Sequence, residues 1–153
     1  MEQKRVLELL EEALEENKSL FVIDVKFSNS NKIDIIIDGD NGVNLKECIR
    51  INRYIENGFD REEEDFSLEV SSPDIVSPIK NIRQYNKNMG RILKVKTSED
   101  KYEGTLIEVN SDNLLLEWKA REPKPIGKGK VTVTKQARIS FNEIVEAKVK
   151  IIF

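Results

Sequence analysis

The chain has 153 residues, of which 35% are charged and 39% are hydrophobic, a composition typical of a folded protein with one or two small domains. Its formal net charge is −3, it contains no histidine, and Cys48 is its single cysteine. These counts exclude Ser-His and Cys-His catalytic pairs, histidine-based metal sites and internal disulfides. The sequence also lacks a glycine-rich phosphate loop, a membrane-spanning apolar run and a signal peptide. We therefore predict a cytoplasmic protein that binds no metal or cofactor and is not an enzyme.

The charges are distributed unevenly along the chain. Residues 1–76 carry nine Lys or Arg against 19 Asp or Glu, a net charge of −10, whereas residues 77–153 carry 16 against nine, a net charge of +7. Such an asymmetry indicates two modules with different partners. We predict an acidic α+β domain at 1–74, a proline-containing joint with a short helix at 75–90, and a basic domain at 91–153.

Two amphipathic helices are predicted in the acidic half. The apolar stripe of the first helix consists of Val6, Leu9, Leu10, Ala13 and Leu14. The second helix begins at an N-cap, Asn44, with Glu47 in the capping-box position, and ends at Gly58. Its predicted apolar arc, in which the cysteine is expected to be buried, consists of Leu45, Cys48, Ile49 and Ile55.

Three strands with alternating apolar residues complete this half. The residues predicted to face inward are Phe21, Ile23, Val25 and Phe27 in the first strand, Ile33, Ile35 and Ile37 in the second, and Phe66, Leu68 and Val70 in the third. The resulting order, α-β-β-α-β, predicts a small sandwich with helices against one face of a sheet. The acidic run "REEED" at 61–65 is predicted to be a solvated loop.

Three basic residues of the second helix, Lys46, Arg50 and Arg53, are predicted to lie on one side of it. Their spacing of i, i+4 and i+7 matches the helical repeat. This stripe is either a secondary candidate for contact with phosphates or a solvated face in a charge-rich protein.

The segment "LEVSSPDIVSP" at 68–78 predicts a joint between two domains. Pro73 has no N–H group and therefore ends the third strand, and Pro78 fixes a second φ angle five residues later. Ser72 and Ser77, the residues before the prolines, are biased toward extended backbone. Such a link is stiffer than a glycine-serine link, although an ordinary loop within one domain remains the alternative.

The basic half is predicted to be an SH3/Sm-like small β-barrel, since short strands and tight turns follow a short helix or turn that ends at Gly90. In the first strand, Leu93 and Val95 are expected inside, with Lys94 and Lys96 outside. Gly104 within a strand indicates sharp bending or close approach of another backbone. The sequence "SFNEI" predicts a single helical turn before the last strand.

The segment "KAREPKPIGKGK" at 119–130 is predicted to be a mobile basic loop, because two prolines and two glycines oppose regular strand pairing. Together with nearby strands it supplies the candidate RNA- or ribosome-binding residues, which are Lys94, Lys96, Lys119, Arg121, Lys124, Lys128, Lys130, Lys135 and Arg138. The other interpretation is solubilising charge on an exposed hairpin. Only Tyr102 and Trp118 are available to stack on bases, and Trp118 fits a core position equally well, so contact with phosphates or with a protein is favoured over base recognition.

Three segments together resemble the RimP family of bacterial ribosome maturation factors, in the family's order and over nearly the whole chain. They are "FSLEVSSPDIVSPI" (66–79), "IDIIIDGDNGVNLKECIRINRYI" (33–55), and "YEGTLIEV" with "ISFNEIVEAKVKI" near the C-terminus. The first is similar to the family's interdomain signature, and the matching positions are Glu69, Ser71, Ser72, Pro73 and Pro78. Asp74 stands where the family usually has glycine, and Ser77 where it usually has arginine.

The resemblance implies a non-enzymatic, monomeric assembly factor that binds the immature small (30S) ribosomal subunit, through rRNA and a ribosomal protein near the decoding region. It also implies that the C-terminal barrel faces that protein. The charges agree in part, since a basic barrel can approach rRNA whereas an acidic domain attracts lysine-rich ribosomal proteins.

Two other classes of protein stay open. The pattern of residues 104–116 resembles Sm-like RNA-binding proteins, which form ring oligomers. A carboxylate-dependent enzyme would need two acidic residues that converge in a pocket and have perturbed pKa values.

Overall fold

The computed structural model describes residues 2–60 and 65–151. The chain forms two compact units, Met1–Asp74 and Ile75–Phe153. Residues 61–64, which make up most of the predicted acidic loop, lie outside the described residues. The α+β class is as predicted, because helices and two separate sheets occur together.

The first unit has the predicted element order. It consists of α1 (Gln3–Glu15), β1 (Leu20–Ser28), β2 (Lys32–Gly39), α2 (Leu45–Asn57) and β3 (Ser67–Ser71). The three strands form one sheet in the order β1-β2-β3. β1 and β2 are antiparallel, whereas β2 and β3 are parallel because α2 connects them as a crossover helix.

The core of the first unit lies where the two helices cover the sheet. α1 contributes Val6, Leu9, Leu10 and Ala13, β2 contributes Ile33, Ile35 and Ile37, and α2 contributes Cys48, Ile51 and Ile55. The stripe predicted for α1 and the inward isoleucines predicted for β2 are therefore confirmed. Cys48 is buried as predicted, and its pKa is raised by that burial and by the nearby Glu47 carboxylate.

The apolar arc predicted for α2 was wrong at two positions. Leu45 and Ile49 have 75% and 42% of their surface exposed, whereas Ile51 is fully buried. Successive residues of a helix turn by about 100°, so a buried face centred on Cys48, Ile51 and Ile55 directs Leu45 and Ile49 toward solvent. The predicted cap is correct, because the Asn44 side chain accepts a hydrogen bond from the Glu47 amide at 2.9 Å.

The alternation predicted for β1 fails at its centre. The pairing register shifts between Val22 and Asp24, which marks a β-bulge at Ile23. Because a bulge inserts one extra residue, it exchanges the two faces of the strand. Leu20 and Val22 consequently share the core face with Val25 and Phe27. Phe21 is buried as predicted, with 6% of its surface exposed, but it lies outside the core cluster beneath the helices, and Ile23 is half-buried.

The second unit consists of one short helix, five strands and one helical turn. These are α3 (Ile82–Lys87), β4 (Ile92–Thr97), β5 (Lys101–Val109), β6 (Asn113–Pro123), β7 (Lys130–Ser140), a 3-10 turn (Phe141–Glu143) and β8 (Ile144–Val149). The sheet order is β7-β6-β5-β4-β8, and every neighbouring pair is antiparallel. β7 and β8 form the two edges, so the sheet that the structure describes is not a closed barrel.

Short-range patterns in this unit were predicted correctly. Leu93 and Val95 are buried in β4, and the helical turn precedes the last strand. Gly104 marks a close approach, since an added Cβ would lie 2.9 Å from the Glu117 carbonyl oxygen and 3.2 Å from Cε3 of Trp118. The remaining core comes from β5 to β8 and α3, with Leu106, Leu114, Leu116, Ile139, Ala147, Val149 and Tyr85.

The predicted basic loop at 119–130 is shorter than expected. β6 and β7 continue to pair as far as Pro123 opposite Lys130, so the connecting loop contains only residues 124–129. The proline does not stop the ladder because it occupies the last position of its strand. Gly127 and Gly129 adopt φ angles of +88° and +96°, which glycine tolerates best, and the Lys124 amide donates to the Gly129 carbonyl at 3.1 Å to close the loop.

Candidate nucleic-acid interface

The predicted basic residues between 119 and 130 lie on an extended β6–β7 hairpin. Lys119 and Arg121 are exposed on β6, Lys130 is exposed at the start of β7, and Lys124 and Lys128 are exposed in the connecting loop. Nη1 of Arg121 donates to Oγ1 of Thr132 on the paired strand at 3.2 Å. The structure therefore brings these five cations together on one projecting element, which we call the basic arm (residues 119–130).

The alternation of side chains divides the candidate cations of β6 and β7 between two faces. Leu116 and Ala137 pair on the core face, so every second residue from them shares that face. Lys119, Arg121, Lys130 and Arg138 belong to the opposite, outer face. Lys135 lies on the core-side face, beyond the core, where it forms an ion pair with Glu122.

Arg138 is also engaged with an acidic partner. Its guanidinium donates to Oδ1 of Asn113 at 2.7 Å and pairs with Oε2 of Glu108 at 3.2 Å. Lys135 and Arg138 are thus both neutralised locally, whereas Lys124, Lys128 and Lys130 have no ion pair among the residues that the structure describes. Lys119 and Arg121 also have no ion pair within residues 2–60 and 65–151, so the unpaired positive charge runs along the whole arm.

Lys94 and Lys96 lie elsewhere, on the outer face of β4. Sequence reasoning missed two further lysines there, Lys101 of β5 and Lys148 of β8, which line the same shallow groove together with Glu103 and Glu146. Nζ of Lys148 lies 2.8 Å from Oε1 of Glu146, and this hydrogen bond is the main cause that lowers the pKa of Glu146. The signal for Lys148 was available, because it alternates with buried Ala147 and Val149.

The three basic residues predicted to lie on one side of α2 also differ in whether they have an acidic partner. Nη1 of Arg50 donates to the Ala13 carbonyl at 3.0 Å and to Oε2 of Glu16 at 2.8 Å, and Nη2 lies 2.8 Å from Oε2 of Glu47. Arg50 therefore caps the C-terminal end of α1, where a positive charge is favourable. Lys46 and Arg53 remain exposed.

The interdomain signature begins at the end of β3. Glu69 is exposed and Ser71 is half-buried at the strand's last position. Ser72 and Pro78 are exposed, and Pro73 is half-buried just before the boundary between the two units. Nothing in the structure assigns a role to these side chains, and their role as a joint stays a prediction.

The two aromatic residues considered for base stacking support the fold instead. Trp118 and Tyr102 both pack against the core of the second unit, with ring centroids 6.2 Å apart. The Trp118 ring also covers Gly104, where a side chain would clash. These contacts agree with the structural interpretation of Trp118.

The described residues offer little support for other chemistry. Among them, no three His, Cys, Asp or Glu side chains lie close enough to hold a metal ion. Within residues 2–60 and 65–151, none of the helices contains the stretch of apolar residues that a membrane span requires. Among the described residues, the largest change in pKa is that of Tyr85. Burial of its side chain raises its pKa to about 12. Because Tyr85 packs within the core 5.1 Å from the ring of Phe141, this shift reflects packing.

Comparison with known proteins identifies the family. The chain is 51% identical over 153 residues to the ribosome maturation factor RimP of Christiangramia forsetii, with all of both chains covered. A family model described as the RimP N-terminal domain matches residues 9–75. The chain belongs to the RimP family.

Other RimP proteins extend this agreement. The Flavobacterium psychrophilum protein of that name is 51% identical over 151 residues, which cover 99% of this chain and 98% of the relative. The Porphyromonas gingivalis protein is 35% identical over 129 residues, or 83% of this chain and 84% of its own. The RimP family model covers the first unit, whereas the full-length identities include the basic arm.

Proposed function

We propose that this protein is a ribosome maturation factor that binds the immature small (30S) ribosomal subunit and acts by binding, without catalysis, as a cytoplasmic monomer. The observation that supports this most strongly is the identity over the full length to proteins named for ribosome maturation. The separation of charge supports a two-surface mode of binding. A basic second unit is attracted to rRNA phosphates, whereas an acidic first unit attracts lysine-rich ribosomal proteins.

The proposed rRNA contact is the basic arm, assisted by Lys94 and Lys96. Its five cations are exposed and have no acidic partner within residues 2–60 and 65–151. A cation already paired with a carboxylate must break that pair to bind phosphate, so Lys135 and Arg138 are weaker candidates. Lys46 and Arg53 form the secondary candidate surface, because both are exposed. Arg50 is not part of this surface, because it is paired with Glu16 and Glu47.

The proposed architecture follows the family's domain plan. We treat residues 1–74 and 91–153 as domains joined through 75–90, with Glu69, Ser71, Ser72, Pro73 and Pro78 as the interdomain signature. We propose that the five strands of the second unit are connected and ordered as in an SH3/Sm-like barrel. Support comes from the β4-β5-β6-β7 meander, after which the 3-10 turn returns β8 to pair with β4.

We propose that the second unit, besides contacting rRNA, contacts the ribosomal protein near the decoding region through an apolar surface. The acidic first unit would add a general attraction for lysine-rich ribosomal proteins. An open apolar groove of the second unit is lined by Pro78, Ile79, Ile82, Tyr85 and Val145, among others. Ile82 and Val145 are exposed within it, at 38% and 65% of their surface. Contact with a protein would remove this apolar surface from water.

A monomer is favoured over an Sm-like ring. Ring closure through the sheet edges would pair β7 of one copy with β8 of the next. The Ile79 amide of the same chain already donates to the Ala147 carbonyl of β8 at 2.7 Å, which occupies part of that edge. Native mass spectrometry tests this directly, since a hexamer or heptamer would contradict the monomer.

Binding to immature small subunits can be tested by charge reversal. We expect Lys124→Glu, Lys128→Glu and Lys130→Glu together to weaken binding at least about tenfold. The plot of log K against log salt should become less steep by about 3, since each of the three lysines would no longer neutralise a phosphate. Binding would be measured by co-sedimentation with immature small subunits from a strain that lacks this protein, over a series of salt concentrations.

The matched control is Lys4→Glu, Lys26→Glu and Lys32→Glu, which reverses three exposed lysines of the first unit. This control variant is expected to retain the wild-type salt slope. Equal losses in both variants would indicate a general charge effect and would contradict a specific arm contact. Wild-type protein that appears only in ribosome-free fractions at low salt would contradict the proposed function itself.

A further inference from the structure

The basic arm extends well beyond the core of its own unit. The structure describes every residue of the β6–β7 hairpin, and Trp118 is the residue of β6 furthest along the strand that still packs against the core. Five more cross-strand pairs follow, from Lys119 with Thr134 to Pro123 with Lys130. At about 3.3 Å per residue, this part of the ribbon reaches roughly 15 Å past the core. Such a projection is suited to contacting a large partner.

An apolar side chain stands at the end of this projection. Ile126 is 88% exposed, the highest value among the large hydrophobic residues that the structure finds exposed. Pro125 precedes it and Gly127, with its positive φ angle, follows it. Because the loop is closed by the hydrogen bond between Lys124 and Gly129, the isoleucine is displayed on a defined turn. An isolated exposed isoleucine is ordinary on a protein surface, but its position between cations is informative.

The charges around Ile126 indicate which partner would take it. Lys124 and Lys128 lie two residues before and after it, and Lys119, Arg121 and Lys130 follow the outer face of the ribbon. Residues two apart on one face of a strand are about 6.6 Å apart, so the ribbon presents a ladder of cations to an extended anion. A nucleic-acid backbone carries one negative charge at every nucleotide and so matches an extended row of cations. A protein groove would match it only if carboxylates lined the groove at the same spacing.

We infer that the basic arm lies along the backbone of an RNA helix and that Ile126 inserts between two stacked bases at its tip. In DNA-binding proteins, apolar wedges that include isoleucine and proline separate base steps in this way, beside cationic side chains. The phosphate contacts of Lys124 and Lys128 would offset the loss of stacking. This inference rests on the proposed function, and it adds that the arm opens the RNA locally as well as holding it. Local opening is a means by which an assembly factor could keep a helix or junction from closing early.

The insertion is tested with the full-length protein and immature small subunits from a strain that lacks it. Acylation of RNA 2′-hydroxyls reports unstacked nucleotides, and it would be measured at saturating protein. We expect wild-type protein to raise the reactivity of one or two adjacent nucleotides, Ile126→Leu to do the same, and Ile126→Ala to abolish the increase. Because cations supply most of the affinity, Ile126→Ala should weaken binding only about fivefold.

Leu45→Ala is the matched control, since it removes an apolar side chain that is 75% exposed in the first unit. It should leave both reactivity and binding unchanged. If Ile126→Ala gives the wild-type reactivity pattern, or if wild-type protein raises no reactivity, the insertion is wrong. The charge-reversal variant separates the two ideas. If the charge-reversal variant loses binding but Ile126→Ala keeps the wild-type reactivity pattern, the insertion alone is wrong. If the charge-reversal variant binds like wild-type protein, both the arm contact and the insertion are wrong.

Discussion

Both units contain paired and unpaired cations, and the two units differ in where the unpaired ones lie. Lys46 and Arg53 of the first unit are exposed on one helix, whereas those of the second unit include the residues of the projecting basic arm. In the first unit, Arg5 lies 3.4 Å from Glu8, and Arg50 pairs with both Glu16 and Glu47. In the second unit, the lysines at the tip of the basic arm have no such partner among the described residues. Net charge indicates which half is basic. Which individual cations are unpaired can be read only from where the fold places the carboxylates around them.

The units also differ in how their cores are built. The first core is closed by two helices laid on a three-stranded sheet, whereas the second is formed mainly by strands of a five-stranded sheet. Each unit has its own cluster of fully buried aliphatic side chains. If each cluster stabilises only its own unit, a cavity in one should leave the other folded.

The largest expected effect comes from making such cavities. Ile51→Ala in the first core and Leu106→Ala in the second each truncate a fully buried side chain. We expect each to lower the free energy of unfolding of its own unit by about 2–5 kcal/mol. Hydrogen exchange of the backbone amides would show the loss of protection. A loss of protection in both units from either substitution would show that the chain unfolds cooperatively as a whole, which would contradict independent stability of the two units.

An intermediate effect is expected from alkaline pH. Burial raises the pKa of Tyr85 from 10.0 to about 12. Because the folded pKa lies above the unfolded pKa, stability is fully present below about pH 10 and is lost as the pH rises toward 12. This group should lower the free energy of unfolding by about 2 kcal/mol between about pH 9 and about pH 11.5. Urea unfolding at both values, compared with Tyr85→Phe, measures the contribution of Tyr85, and identical pH profiles for the two proteins would exclude it.

The smallest expected effect on the free energy of unfolding comes from removing one helix cap in each unit. Asn44→Ala removes the acceptor for the Glu47 amide at the start of α2 and should cost about 1 kcal/mol. Asn81→Ala removes the acceptor for the Arg83 amide at the start of α3. Its cost should be lower, about 0.5 kcal/mol, because Gln84 still accepts from the amides of Lys80 and Asn81. Urea unfolding measures both, and a larger loss from Asn81→Ala would reverse this ranking.

Prediction from sequence succeeded where neighbouring residues decide the outcome. The stripe of α1, the isoleucines of β2, the Asn44 cap and the helical turn before β8 each depend on a local pattern. It failed at the bulge in β1 and at Leu45 and Ile49 of α2, because in both places packing against a distant element chooses the buried face. The candidate site was predicted in part, since all its cations are in the sequence but their ion-pair partners come from other strands.

The sequence by itself determined the two oppositely charged halves, the order of helices and strands, and the resemblance to the RimP family, because these depend on composition and on short-range periodicity. The tertiary structure decided that residues 119–130 continue two paired strands, that Arg50 and Lys135 are neutralised, and that Ile126 stands exposed at a tip between free lysines. The physical reason is that pairing and burial join residues far apart in the chain. A cation's availability depends on which carboxylate the fold brings to it.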